Sequence, residues 1–446
     1  MTRKKCFSIW IILAIALAGC SEKPGTEIEF VHIEGVSWAC NVSSSFATFG
    51  STVESEDSLD LVLPVSEGDM LYMLQDELEF YYRYSSSHGE RLSVRFDTLK
   101  GLSVYLNGNL NYMELSEPSS LEAFSQLTDP EVKQLSTILV HGTVTDNILQ
   151  SLKKREPALS GKGLVMEGGD VSENFKEILT ICQPVFLVTD KLPEPEGSCC
   201  LSNLELLWLD GNISALARLA RCCGSLESLI IASWEPQPGE LLPLSELRKL
   251  KNLTIAESEL TSLSVIEFPT SLSSLSLPGC DTLSDIKKLE ELPDLTRLGL
   301  TLCEQLRELA PIQKINSLSW LSCPPGTSQM ELKAFTEQHP RLEVVELIAC
   351  TELENLEPLQ QLTDLRGLVL QLEQNQLGML ETLEALEILI LTDEVFSDNP
   401  YIIKELRASL TNTTIVPGSG ICLGSGWLVL LIPLILLFRQ VFRNKE

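Results

Sequence analysis

Residues 272–283, LSSLSLPGCDTL, place leucines at 272, 275 and 277 and a lone cysteine at 280. The arrangement returns at 295–303, LTRLGLTLC. Its opening, Leu-x-x-Leu-x-Leu with Ile, Val or Cys replacements, starts at Leu204, Leu226, Leu250, Leu272, Leu295, Leu318, Leu342, Leu365 and Leu386. The intervals are 22, 24, 22, 23, 23, 24, 23 and 21 residues, a spread narrow enough to mark an internal repeat. The Leu-x-Leu end alternates with the period of a strand that buries one face. The remainder of each unit must return over the other side. In the unit at 272 this path carries Leu283, Ile286 and Leu289 three residues apart, which fits a short 3-10 arc better than a full amphipathic helix. One unit cannot bury its apolar edge alone. Stacked units pair their strands about 4.8 Å apart in a parallel sheet and enclose a continuous leucine column.

This pattern, with its small residue three places after the last strand leucine, resembles the leucine-rich repeat proteins over residues 201–410. The resemblance implies an α/β solenoid with parallel strands on the concave face and short helical or 3-10 arcs on the convex face. It also implies a role for the small residue, which turns the chain from strand to arc and bonds exposed backbone groups. Here that position is held by Asn212, Trp234, Ser258, Cys280, Cys303, Gly326, Cys350, Glu373 and Glu394. Asn212, Cys280, Cys303 and Cys350 are therefore expected as rungs of a structural ladder, with the cysteines as free thiols. Cys200 and Cys222 each lie four residues before a repeat start, which makes them the candidates for a disulfide in an exported protein. No Cys-x-x-Cys spacing occurs, so no metal site is expected.

Both termini carry membrane-directed signals. Arg3, Lys4 and Lys5 precede an apolar run at 7–18 that is too short to span a bilayer and reads as a secretory signal. The run closes on Leu17-Ala18-Gly19-Cys20, which resembles the lipobox of bacterial lipoproteins; on that resemblance Cys20 is lipidated and becomes the mature N-terminus. Residues 421–438, ICLGSGWLVLLIPLILLF, hold no charge and are followed by Arg439, Arg443 and Lys445. As a helix they would run about 27 Å, close to the hydrocarbon thickness. Basic flanks at both ends favour the cytoplasm, so the intervening chain is expected outside it, in the cell envelope. The glycine- and cysteine-bearing stretch around Cys422 also resembles the sorting tails of some bacterial surface proteins, which implies proteolytic removal as the alternative to a permanent anchor.

From 136 to 190 β-branched runs alternate with polar amphipathic stretches at about the repeat spacing, as degenerate repeats or an N-terminal cap would. Before 110 the chain is poorer in leucine and richer in serine and aromatics, which suits a small β-rich domain or further divergent repeats. The expected order is a signal peptide (1–19), a β-rich region (20–134), degenerate repeats or cap (135–200), leucine-rich repeats (201–410), a linker (411–420), a transmembrane helix (421–438) and a basic cytoplasmic tail (439–446).

The formal charge is −29, a surface that repels phosphate backbones and argues against nucleic acid as a partner. The local signatures of hydrolases, zinc proteases, dinucleotide-binding and phosphate-binding loops are missing, and no cofactor is expected. His32, His88, His141 and His339 are the only imidazoles and fall in separate contexts; Cys40 with His88 is the weak catalytic alternative. The function expected is binding of a protein or peptide partner on the concave face. Its central column would run Trp208, Ile230, Thr254, Ser276, Gly299, Ser322, Glu346, Val369, Ile390, with side chains pointing outward. Arg297 and Trp320 fall together one column over and, as exposed residues of the types enriched at binding hot spots, would anchor the contact. Trp208, Ile230, Arg297, Trp320 and Glu346 are thus the candidate contact residues. A structural or surface-display role without a specific ligand is the alternative.

Overall fold

The computed structural model describes residues 58–417 apart from short stretches, the longest being 64–69, 84–89, 194–200, 371–378 and 392–399, and describes side chains from Met113 onward. Most of its strands join one 17-stranded sheet. The sheet opens as an antiparallel meander: Ser58–Leu63 pairs with Glu90–Asp97, which pairs with Gly101–Leu106, which pairs with Asn109–Glu114. The last of these then pairs parallel with Thr137–His141, and every later addition is parallel. Through Gly163–Glu167 and Phe186–Thr189 the sheet passes into the first clear repeat strand, Leu206–Asp210. It continues through Ser228–Ala232, Asn252–Ala256, Ser274–Ser276, Arg297–Gly299, Trp320–Ser322, Val344–Leu347, Gly367–Leu370 and Ile388–Leu391.

Of the two readings of 136–190, the strand pairing matches degenerate repeats in register with the rest, because the helices Asp146–Lys153 and Glu173–Cys182 each return the chain to a parallel neighbour. It is the antiparallel meander that covers the N-terminal end. One expected boundary is corrected by the same continuity. Residues 411–420 are not all linker: Thr414–Pro417 adds a further parallel strand beside Ile388–Leu391. Its residues Thr414, Ile415 and Val416 are β-branched and suit the pleated surface.

Register explains the core. Leu253, Leu275, Leu298, Leu321, Val345, Leu368 and Leu389 face one another across successive strands, and all are buried. Burial of each leucine contributes about 2 kcal/mol, which a lone repeat could not realise. The arcs close over this column as the three-residue spacing predicts. Leu263–Val265, Lys287–Glu291, Ala310–Lys314 and Glu357–Gln361 are 3-10 turns that bury Leu263, Leu289, Ile312 and Leu359. Two of the described arcs in 201–410 are α-helical instead, Pro400–Ser409 being one. Gln329–Gln338 is a full α-helix, started by a capping box in which Ser328 Oγ accepts from Glu331 N at 3.3 Å and Glu331 Oε2 accepts from Ser328 N at 2.8 Å.

At six of the strand-to-arc turns a left-handed residue appears that the sequence pattern did not reveal. Gly211, Ser233, Glu257, Gly279, Leu302 and Ala349 have φ between 47° and 78°, each one place before the ladder position. The turn aims the N–H of this residue at the end of the next strand. Ser233 N donates to Ala256 O at 2.9 Å, and Gly279 N donates to Thr301 O at 2.9 Å. The conformation is therefore imposed by closure of the solenoid, and four of these six positions accept it without glycine's freedom.

Candidate interaction face

The expected column forms. Parallel register aligns Trp208 with Ile230, Thr254 and Ser276, and carries the line on through Gly299, Ser322, Glu346, Val369 and Ile390. Arg297 lies directly opposite Trp320, also as expected. These residues alternate with the core leucines and so project from the other face of the sheet. Trp208, Ile230, Trp320 and Val369 accordingly stand outside the contiguous apolar core.

Their exposure is a correction. Trp208, Ile230, Thr254, Ser276, Ser322, Glu346, Val369 and Trp320 are all 0–3 % exposed, so this is not an open surface bearing hot-spot aromatics; Arg297 is part-exposed. Lateral interlocking supplies one reason. A Cβ placed on Gly299 would sit 2.6 Å from Ser276 Oγ, and one on Gly163 would sit 1.9 Å from the Phe186 ring. Neighbouring side chains thus use the space that glycine leaves on the adjacent strand. A second reason operates near the N-terminal end, where Leu78–Arg83, one strand of a separate hairpin, lies against Gly163–Glu167. Alternation in the sequence reports which face is buried first. It cannot report that the opposite face is buried too.

The column has a chemical gradient. Trp208 and Ile230 are large and apolar; Thr254, Ser276, Gly299 and Ser322 are small; Val369 is apolar again, and Glu346 stands between the last two groups. Thr301 and Ser322 share a hydrogen bond between their hydroxyls. Neither carboxylate oxygen of Glu346 makes a well-formed hydrogen bond, and desolvation pushes this group up to about 7, a weak contact with the Ser322 hydroxyl opposing the rise. At neutral pH Glu346 is thus poised between the acid and the carboxylate.

On the other side of the turn the ladder thiols reach back one repeat. Cys280 Sγ donates to Ile255 O at 3.3 Å, Cys303 Sγ to Leu277 O at 3.1 Å and Cys350 Sγ to Pro324 O at 3.4 Å. All three are buried and unpaired, Cys280 and Cys303 included. Ser258, in the same row, takes a hydrogen bond from Trp234 N at 3.0 Å and gives one to Ala256 O at 2.9 Å. Burial pushes the Cys280 and Cys350 thiols up to about 12 and holds the Cys303 thiol well above its ordinary range, which removes the thiolate a nucleophile needs. Asn212, Cys200 and Cys20 lie outside the described residues, as do Cys40, His88 and His32; Cys222 is half-buried. His339 is buried at the end of the Gln329–Gln338 helix, and burial holds its imidazole below the ordinary range. Among the described residues no cluster of three or more His, Cys, Asp or Glu is arranged to hold a metal ion, and no helix is long and apolar enough to cross a membrane. Residues 421–438 fall outside that part of the chain.

No family model matches the sequence, and no curated protein sequence is similar to it. Among solved structures, a leucine-rich repeat protein of Leptospira interrogans is similar at 14 % identity and a TM-score of 0.31, over 68 % of this chain and 99 % of that one. A likeness this distant adds nothing to the geometry. The register of the parallel strands, the 3-10 arcs and the ladder between them already make the fold a leucine-rich repeat solenoid with an antiparallel N-terminal meander.

Proposed function

We propose that this protein is an interaction scaffold of the bacterial cell envelope, held by lipidated Cys20 and by the apolar segment 421–438, and that the concave face of its sheet recognises a protein or peptide partner. One observation carries the reading: the column from Trp208 to Val369 is buried without belonging to the core. Side chains arranged in this way suit a surface that is covered rather than one that faces water. The small centre of the column, flanked by apolar ends, suits an extended apolar segment, and Glu346 suits a hydrogen-bond donor or a cation on it. Part-exposed Arg297 lies opposite buried Trp320 on the neighbouring strand, one column over. The overall charge of −29 disfavours nucleic acid in this role.

The test is crosslinking in intact cells, comparing the wild type with the Arg297→Ala, Trp320→Ala double variant after unfolding curves show that the variant is folded. Capture of one dominant partner, reduced more than tenfold in the variant, is the expected result. A diffuse set of neighbours that the variant leaves unchanged would favour a structural or display role. Mass spectrometry of the mature termini tests the anchoring: an acylated Cys20 is expected, and an unmodified one would overturn that half of the reading.

A further inference from the structure

The strands Met70–Gln75 and Leu78–Arg83 stand apart from the long sheet. They pair with each other and, among the described residues, with no other strand. The chain leaves the sheet for them after Leu63 and rejoins it at Glu90, and these two residues are themselves register partners. The hairpin is therefore an excursion from a closed antiparallel stem. Lifting it breaks no described main-chain pairing of the 17-stranded sheet.

Its seat follows from what is already filled around Gly163–Glu167, the strand against which Leu78–Arg83 lies. Both edges of that strand are taken, by Thr137–His141 and Phe186–Thr189. Its Leu164 and Met166 belong to the core, which the helices Asp146–Lys153 and Glu173–Cys182 close through Leu152 and Ile178. The side left to the hairpin is the concave one, toward which Val165 alternates. From Glu90–Asp97 to Gly163–Glu167 there are four strand spacings, about 19 Å. Connections of six residues, 64–69 and 84–89, span about 20 Å and suffice. The face beneath is apolar: Leu139, Val165 and Val188 stand in register, fully or almost fully buried yet outside the contiguous core, and Val188 lies beside Trp208. A two-stranded hairpin is marginal on its own in water, so burial against this strip is what seats it.

We propose that the hairpin of Met70–Gln75 and Leu78–Arg83 is a lid: it occupies the apolar N-terminal end of the concave face and lifts from its stem as a unit, leaving the long sheet intact. The inference rests on the reading of the concave face as the recognition surface. Closed, the lid withholds Leu139, Val165 and Val188 from a partner. Open, it extends the apolar strip that begins at Trp208 by the strands Thr137–His141, Gly163–Glu167 and Phe186–Thr189. An extended apolar segment then replaces a hairpin of the chain's own on the same surface.

The experiment uses the full-length protein and two readouts. Native-state hydrogen exchange by mass spectrometry compares the hairpin amides with those of Glu90–Asp97 and Gly101–Leu106 over low urea concentrations. The hairpin should exchange at least tenfold faster, through an opening that urea hardly promotes; one shared rate with one urea dependence would overturn the lid. The seat is read with p-benzoylphenylalanine in place of Phe80 and, in a second variant, of Tyr81, adjacent residues on opposite faces of the strand. On irradiation one of the two should form intramolecular adducts within 137–188 and the other should not. Adducts there from neither probe would overturn the seat. The recognition reading fails separately: a lid that opens as described, in a protein whose Arg297→Ala, Trp320→Ala variant captures the same neighbours as the wild type, keeps the lid and removes the partner.

Discussion

The two faces of this sheet are equally dry and chemically unlike. On one, leucine meets leucine from strand to strand, as in the column from Leu253 to Leu389, and convex arcs seal it. On the other, tryptophan, threonine, serine, glycine, glutamate and valine share a column that is just as inaccessible. The first face is specified by volume and apolarity and yields the fold. The second tolerates hydroxyls and a carboxyl, which a core selected only for stability would exclude. That difference is the ground on which recognition is proposed for the second face.

The largest test of this contrast is Leu277→Asp. A charge placed in the sealed column, with no partner, should cost about 4 kcal/mol or more and unfold the surrounding repeats, as read by urea denaturation. A mild effect would mean that the leucine face is looser than described. Next comes Glu346→Gln on the opposite face. The folded pKa of about 7 lies above the unfolded value, so the protonated group favours the native state. That contribution is whole below about pH 4.5 and is lost as pH rises through 7. The glutamine variant should therefore match the wild type at pH 4 and be more stable at pH 8 by about 3 kcal/mol, at 1.36 kcal/mol per unit. Equal stability at both pH values would show that Glu346 is solvated.

Two smaller changes probe the turns that join the faces. Leu302 holds φ 61° at the strand-to-arc turn, a conformation that costs a non-glycine residue about 1 kcal/mol. Leu302→Gly should recover part of that, raising the unfolding midpoint slightly; a clear loss would mean that the Leu302 side chain packs more than its backbone strains. Cys280→Asn should be the mildest, within about 1 kcal/mol, because an amide replaces the thiol as donor to Ile255 O. Activity or partner capture that vanished with Cys280 would instead return the thiol to chemistry.

The leucine face was legible in the sequence because a strand's alternation and a repeat's period are both written in residue identity. The ladder was legible for a related reason: Cys280, Cys303 and Cys350 share one register, one repeat apart in the first pair and two in the second. The αL turns at Glu257, Leu302 and Ala349 were not, because their φ is set by stacking and their side chains carry none of the usual turn signals. The strand at Thr414–Pro417 was hidden by lying after the last leucine motif. Burial of Trp208, Trp320 and Glu346 was hidden most deeply. It depends on how side chains of neighbouring strands fill the face between them, and periodicity within a strand holds no information about that.

Hydroxyl-radical footprinting of the full-length protein, read residue by residue, tests that burial most directly. Trp234, sealed in the core, and Met330 and Tyr401, 78 % and 71 % exposed, provide the internal scale. Trp208 and Trp320 should be as protected as Trp234. If they are instead oxidised at the rate their exposure to water would give, comparable with Tyr401, the concave face is open and the account of a doubly covered sheet is wrong.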